Sequence, residues 1–292
     1  MIEPEYLKLI AAEAHAFLRV RVTKALRDEG WDPALDPDEC IQRHMAPPDD
    51  VDLVSRARIL ESILVSAQNR QDAANVILGS VDGGIATLRR LLHGFDPDRI
   101  LATWPDRDAL FRDLKASGDI SGEMRDTKKS RWPQYCGTVL SAAAFVSRFE
   151  TAGEFVEWLR KFRRDADLAA ALPLVLEKEI FGFGLALACD FLKELGCSEY
   201  LKPDVHIWRL VRGLGLSDAK TDYMLLRDLM ALEPALRKIG LTPYAFDKYL
   251  WLIGSGRFYQ VVEDGYMLTI RRQAPAFLKR FAAIQSKLAP GA

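Results

Sequence analysis

Two short stretches decide how this sequence is interpreted: IFGFG at residues 180–184 and KPDVHI at residues 202–207. An apolar run over residues 170–180 leads into the first stretch, and another over residues 185–195 leaves it. Glycines at alternate positions suit a hairpin in which one residue needs positive φ and another lets a ligand approach the backbone. The pattern therefore predicts two helices joined by a glycine hairpin, with the first N–H groups of the second helix available to a phosphate oxygen.

Asp204 is the acidic residue of the second stretch. It precedes an apolar helical pattern over residues 205–214, where an aspartate commonly caps a helix. The same position would keep a carboxylate ionised and fixed in direction, so capping and catalysis are compatible interpretations. His206 lies on the first turn of that helix, where it would contact a phosphate, orient the aspartate, or simply be a surface or packed histidine.

Together the two stretches resemble the helix-hairpin-helix DNA glycosylases with the Gly-Pro-Asp motif, the endonuclease III and adenine-glycosylase superfamily. The usual hairpin there is Leu-Pro-Gly-Val-Gly, the lyase lysine corresponds to Ala186, and the catalytic aspartate corresponds to Asp204. The separation of 18 residues (204 − 186) agrees as well. This chain departs from the pattern twice, with Phe181 in place of the proline and Ala186 in place of the lysine.

The resemblance implies that the hairpin residues Gly182, Phe183 and Gly184 bind DNA, with N–H groups that hold phosphates 3′ of the lesion. Family hairpins also often bind a monovalent cation through carbonyl oxygens. The stretch LVSAQN at residues 64–69 is similar to a helix end in endonuclease III-like enzymes, where a glutamine fills the space left by the extruded nucleotide. That role falls on Gln68, with Asn69 as the alternative, although both residues also suit a plain helix C-terminus.

Two aromatic residues, Trp132 and Tyr135, open a strongly apolar helix pattern. They are candidate stacking partners for an extruded base, and equally candidate core residues. The stretch WLIGSGR at residues 251–257 resembles the segment that precedes the first ligand of a four-iron cluster in endonuclease III-like proteins. That ligand position is Gln260 here, and no cysteine follows Cys197. Because such a cluster needs four thiolates, we expect no iron–sulfur cluster and no other required cofactor.

Composition narrows the class of protein. The chain has 292 residues, 49% of them hydrophobic, and a formal net charge of −1, so any nucleic-acid surface must be a local basic patch. The 4 cysteines form no C-x-x-C pair, which argues against a zinc site or a disulfide framework. No signal-peptide pattern or membrane-length apolar run is present, so we expect a cytoplasmic monomer with no membrane partner.

We expect an all-α protein of two interleaved helical subdomains with a DNA-binding cleft between them. Residues 52–197 would contain the hairpin, and residues 1–51 plus 198–292 would carry Asp204. Residues 31–50, rich in proline and acidic side chains, are expected to form a loop or surface arm, and residues 80–131 contain an insertion relative to the shortest family members. The lysines at positions 178, 193 and 202 are interpreted as ordinary solvated side chains.

The resemblance implies a base-excision repair enzyme that hydrolyses the N-glycosidic bond of a damaged or modified base flipped out of double-stranded DNA. Because Ala186 offers no nucleophile, the expected enzyme has no AP lyase activity. Two alternatives stay open: a non-catalytic helix-hairpin-helix DNA-binding or damage-sensing protein, and a helical small-molecule enzyme or interaction domain whose hairpin is only a turn. The sequence does not identify the excised base.

Overall fold

The computed structural model describes residues 2–31, 34–47, 54–69, 77–127, 129–258 and 268–288. The first helices in chain order are α1 (Pro4–Asp28), α2 (Pro37–Gln42), α3 (Arg56–Ala67), α4 (Gly84–Leu91), α5 (Pro97–Thr103), α6 (Arg107–Ala116), α7 (Arg131–Ser147) and α8 (Ala152–Arg163). They are followed by α9 (Ala166–Glu179), α10 (Leu185–Glu194), α11 (Val205–Gly213), α12 (Asp222–Met230), α13 (Glu233–Lys238), α14 (Pro243–Ser255) and α15 (Ala274–Leu288). Short 3-10 turns cover Leu78–Ser80 and His93–Phe95.

Extended structure is almost absent from the described residues. Two antiparallel strands, β1 (Arg257–Phe258) and β2 (Leu268–Thr269), pair with each other, and an isolated bridge joins Val81 to Ile120. The structure therefore confirms the all-α expectation, whereas the helix-hairpin-helix motif and the cleft stay predictions. Within the described ranges, no helix combines the length and the apolar character needed to cross a membrane.

The chain divides into two compact units, a terminal unit of Met1–Asp50 with Leu192–Ala292 and a central unit of Val51–Phe191. In the terminal unit, α1 contacts α2, α13 and α14, and α11 contacts α14 and α15. The apolar positions of α1 follow a helical period, and the buried residues of this helix are Leu7, Ile10, Ala14, Phe17, Leu18, Val22 and Leu26. Such a stripe stabilises the unit by removing apolar area from water.

The central unit is organised around α7. This helix contacts α3, α5, α6 and α9, and α8 contacts α9. The buried face of α7 includes Val139, Ala142 and Phe145. The long apolar helix α7 therefore lies beside α9, which leads into the glycine turn.

The prediction for residues 31–50 was wrong in one part, because residues 37–42 form the short helix α2. The Asp36 side chain accepts a hydrogen bond from the Asp38 N–H, and Pro37 follows as the first helical residue. Cys40 and Ile41 are buried. An aspartate cap followed by proline is a helix start signal. The prediction missed this signal because it relied on the many prolines and acidic side chains of the segment.

Candidate functional site

The turn after α9 has the hydrogen bonding of a β-turn. The Phe183 N–H donates to the Ile180 carbonyl (3.1 Å), and Gly182 has φ +75°. A positive φ at the third turn residue is what a type II turn requires, and glycine supplies it without strain. The Gly184 carbonyl then accepts from the N–H groups of Leu187 and Ala188, which starts α10.

Several backbone N–H groups at this turn donate to no acceptor in the described part of the chain. They belong to Gly182, Gly184, Leu185 and Ala186. Gly184 is exposed, and apart from its two chain neighbours no described residue has an atom within 4 Å of the position that a Cβ would occupy there. An anion could approach the backbone closely at this point. The positive end of the α10 dipole would favour it.

Phe183 contributes differently from its neighbours. Its side chain is 1% exposed and its ring lies 6.0 Å from the Phe191 ring, centroid to centroid, at 68°. Its N–H is used inside the turn. Any DNA contact made by the turn would therefore come from the flanking N–H groups, while Phe183 holds the turn to the core. The predicted cation site stays a prediction; among the turn carbonyls, those of Ile180 and Phe181 already accept hydrogen bonds.

Asp204 caps α11. Its Oδ1 accepts hydrogen bonds from the N–H groups of His206 (2.9 Å) and Ile207 (3.0 Å). Its Oδ2 has no hydrogen-bond donor in the ranges that the structure describes. One oxygen thus fixes the direction of the carboxylate and the other remains available.

The environment of Asp204 opposes its charge. Burial raises the pKa of the Asp204 carboxyl above its ordinary value, and the nearby Asp247 carboxylate acts in the same direction. The Lys202 ammonium, the Ile207 N–H and His206 partly offset this increase. Burial disfavours the ionised form because water no longer solvates it. Desolvation together with a specific charge partner is typical of carboxylates at functional sites.

A buried ion pair supports the segment before Asp204. Lys193 donates to Asp247 Oδ2 (2.7 Å), and the two side chains are 3% and 0% exposed. Asp247 Oδ1 accepts the backbone N–H of Lys202 (3.1 Å), whose carbonyl accepts the Asp204 N–H (2.8 Å). The interpretation of Lys193 as a solvated lysine was therefore wrong. The sequence did contain one indication of a buried ion pair: Asp247 is a single aspartate on an otherwise apolar face of α14.

The first turn of α11 is packed against a glycine of α14. A Cβ at Gly254 would lie 2.6 Å from the His206 Cβ and 3.3 Å from its Cα. His206 is half-buried, so its position depends on the absence of a side chain at residue 254. The same packing fixes the start of the helix that Asp204 caps.

We expect Gly254→Ala to destabilise the protein by about 1–3 kcal/mol, since the added methyl has to displace a Cβ and backbone rather than a flexible side-chain end. Urea unfolding measures the change. Gly153→Ala in α8 is the matched control, because its Cβ would come no closer than 3.6 Å to the Thr151 hydroxyl. The control should be neutral or stabilising by at most about 1 kcal/mol. Equal destabilisation of both variants would contradict the packing argument.

Gln68 and Asn69 lie at the C-terminus of α3, in the central unit. The Gln68 N–H donates to Leu64 O (3.3 Å) and the Asn69 N–H to Ser66 O (3.2 Å), which is the hydrogen bonding of a helix end. The Gln68 Oε1 is buried without a donor among the described residues. Residues 70–76, which follow, lie outside the described part. A role for Gln68 or Asn69 inside a duplex stays a prediction.

Trp132 and Tyr135 are core residues of the central unit, 7% and 5% exposed. Their rings meet edge to face, and the Tyr135 hydroxyl donates to Leu64 O (3.1 Å), one helical turn before Gln68. Burial raises the pKa of the Tyr135 hydroxyl far above its ordinary value. A base could stack on either ring only if neighbouring side chains moved.

The sequence-predicted residues therefore fall into two sets. Asp204 and His206 lie in the terminal unit, while the turn, the end of α3 and the two aromatics lie in the central unit. No protein-family model, curated protein or solved structure gave a significant match to the chain. In the described ranges, no group of three or more His, Cys, Asp or Glu side chains is placed to hold a metal ion.

Proposed function

We propose that the protein is a monofunctional DNA glycosylase that removes a damaged or modified base from double-stranded DNA. The observation that carries the proposal is that the Asp204 carboxylate combines a fixed direction with burial. One of its oxygens is fixed by two backbone N–H groups, and the other accepts from no described residue. Such a carboxylate is held in direction and keeps one oxygen for a substrate.

The reaction requires this kind of group. As the bond between C1′ and the base nitrogen breaks, the sugar becomes a cation and the electron pair leaves with the base. Asp204 would stabilise that cation, and water would add to C1′ and release a proton. At about 4 Å and an effective dielectric near 20, opposite unit charges attract by about 4 kcal/mol. That energy corresponds to roughly a thousandfold in rate.

The turn between α9 and α10 supplies the proposed phosphate contact. The N–H groups of Gly182, Gly184, Leu185 and Ala186 lack acceptors in the described residues and lie at a helix N-terminus. This arrangement binds phosphate without regard to base sequence. It fits an enzyme that must hold many sites weakly before one base is extruded.

The alanine at residue 186 and the buried position of Lys193 favour water as the nucleophile. Residue 186 is alanine, and the Lys193 ammonium is buried against Asp247. A Schiff-base lysine has to reach the sugar as a free amine, and the pairing with Asp247 prevents this for Lys193. We therefore propose base release without strand cleavage.

A second candidate is a DNA-binding protein without catalysis. Among the described residues, Asp96, Asp106 and Asp165 also cap helices with a side chain that accepts from two backbone N–H groups, and Asp36 caps α2 by accepting from one. Capping alone thus accounts for the hydrogen bonds of Asp204. It does not account for the burial that raises the Asp204 pKa.

The experiment is incubation of the full chain with duplexes that carry single alkylated, oxidised or mismatched bases, followed by alkali to cut abasic sites. We expect alkali-dependent cleavage of at least one duplex. We also expect duplex affinity to fall steeply with added salt, because phosphate contacts release counterions. Cleavage without alkali would contradict the monofunctional assignment. Salt-dependent binding with no base release across the panel would favour the second candidate.

A further inference from the structure

Phe181 is the turn residue that departs from the family pattern, and the structure shows how the turn is built around it. Phe181 occupies the second position of the turn, after Ile180, whose backbone is extended (φ −110°, ψ 114°). An extended residue is what a following proline requires, and proline is favoured at the second turn position. Position 181 is thus one at which proline is favoured, yet this chain has a residue with an N–H and an aromatic ring there.

Both backbone groups of Phe181 are bound by hydroxyls of α7. The Phe181 N–H donates to the Ser141 Oγ (2.8 Å), and the Thr138 Oγ1 donates to the Phe181 carbonyl (2.8 Å). Thr138 is 3% exposed, so its hydroxyl has little access to water. The Ser141 hydroxyl in turn donates to Thr138 O (3.1 Å), which leaves its oxygen free to accept from Phe181.

The Phe181 ring is held against the same helix. A Cβ at Gly137 would lie 2.9 Å from the Phe181 Cδ1 and 3.1 Å from its Cε1. A glycine in the middle of α7 weakens that helix relative to alanine. The ring occupies the space that this glycine leaves, and the residue as a whole is 47% exposed.

We propose that Gly137, Thr138 and Ser141 form a docking socket on α7 that positions the phosphate-binding turn. The inference rests on the proposed function, because the turn is assigned there to bind DNA phosphate. In this chain the two hydroxyls do by hydrogen bonding what a proline does by its fixed φ. They hold residue 181 in place, and the free N–H groups of Gly182 and Gly184 follow it directly.

We expect the effects of Ser141→Ala and Phe181→Pro on duplex affinity to be non-additive. Ser141→Ala removes the acceptor of the Phe181 N–H and should weaken binding of a short undamaged duplex by about 3- to 10-fold at low salt, the effect of one hydrogen bond. Phe181→Pro removes the N–H that donates to the Ser141 Oγ and directs the proline Cδ at that oxygen instead. In the Phe181→Pro background, Ser141→Ala should therefore cost nothing more.

Thr138→Val should weaken duplex binding by a similar factor in both backgrounds, since the carbonyl of residue 181 is present in each. Thr138→Ser keeps the hydroxyl and should restore affinity. Ser147→Ala is the matched control on the same helix, because among the described residues the Ser147 hydroxyl bonds only to the Ala144 carbonyl of α7. The control should leave duplex affinity unchanged.

The test is a double-mutant cycle on the full chain, with duplex affinity, urea unfolding and amide hydrogen exchange measured for each variant. In the wild type we expect slow exchange of the Phe181 N–H, and about tenfold faster exchange in Ser141→Ala. Equal loss of affinity on Ser141→Ala in the wild-type and Phe181→Pro backgrounds would overturn the inference, as would unchanged affinity in both Ser141→Ala and Thr138→Val. If the wild type binds no duplex at any salt concentration, the proposed function fails. Amide exchange then still decides whether the socket holds the turn.

Discussion

Asp204→Asn should lower the rate of base release by roughly a thousandfold while leaving the fold intact. The loss reflects the roughly 4 kcal/mol by which a carboxylate near 4 Å favours a sugar cation. Asparagine caps helices about as well as aspartate, so the hydrogen bonds to the N–H groups of His206 and Ile207 can persist. Single-turnover base release measures the effect.

Asp106→Asn is the matched control for this substitution. Asp106 caps α6 with Oδ1 bonded to the N–H groups of Asp108 (3.0 Å) and Ala109 (2.8 Å), and its side chain is exposed. It should leave base release unchanged. Equal rates for the two variants would reduce Asp204 to a helix cap. Unchanged duplex affinity with lost base release is the signature of catalysis.

The raised pKa of Asp204 adds a stability effect with a definite sign. The folded state binds the Asp204 proton more tightly than the unfolded state. Ionisation of Asp204 therefore destabilises the fold as the pH rises from the ordinary pKa of the carboxyl through its raised pKa in the folded state. Asp204→Asn should therefore match the wild type in acid and become relatively more stable at neutral pH. Base release by the wild type should fall as pH drops through the same raised pKa. Urea unfolding and base release across a pH series check both trends.

Local patterns in the sequence predicted most helices near the site. The segments expected at 185–195 and 205–214 are α10 and α11, with Asp204 as the cap. These features depend on neighbours three or four positions apart. Such neighbours are visible in one sequence.

The contacts that hold the candidate sites are long-range, and no local pattern shows them. Asp247 pairs with Lys193, 54 residues earlier, and Ser141 accepts from Phe181, 40 residues later. An isolated lysine in an amphipathic helix is usually solvated, so Lys193 was misinterpreted. Only the packing of α10, α14 and the segment before Asp204 identifies its partner.

Asp247→Ala should destabilise the protein by about 3–5 kcal/mol, the largest stability effect that we expect. Removing one member of a buried ion pair leaves the other charge buried without its counterion. The same change removes the acceptor of the Lys202 N–H. Urea unfolding measures the loss, and Asp247→Asn should lose less because its amide oxygen can still accept from Lys202.

The charge explanation has its own test. Lys193→Met combined with Asp247→Leu removes both charges and fills the space with apolar side chains of similar volume, which often restores the stability of a buried pair. The double variant should therefore be more stable than Asp247→Ala alone. Glu157→Ala, which breaks an exposed ion pair with Arg160 on α8, should cost no more than about 1 kcal/mol.

The pair also links stability to the segment that carries Asp204, because Asp247 binds the Lys202 N–H and Lys202 O binds the Asp204 N–H. In the double variant the charges are gone and the Lys202 N–H has no acceptor at residue 247. Restored stability with reduced base release would show that Asp247 orients the Asp204 segment as well as neutralising Lys193. Restored stability with wild-type base release would limit Asp247 to charge compensation. A double variant as unstable as Asp247→Ala would mean that packing, and not an uncompensated ammonium, determines the cost.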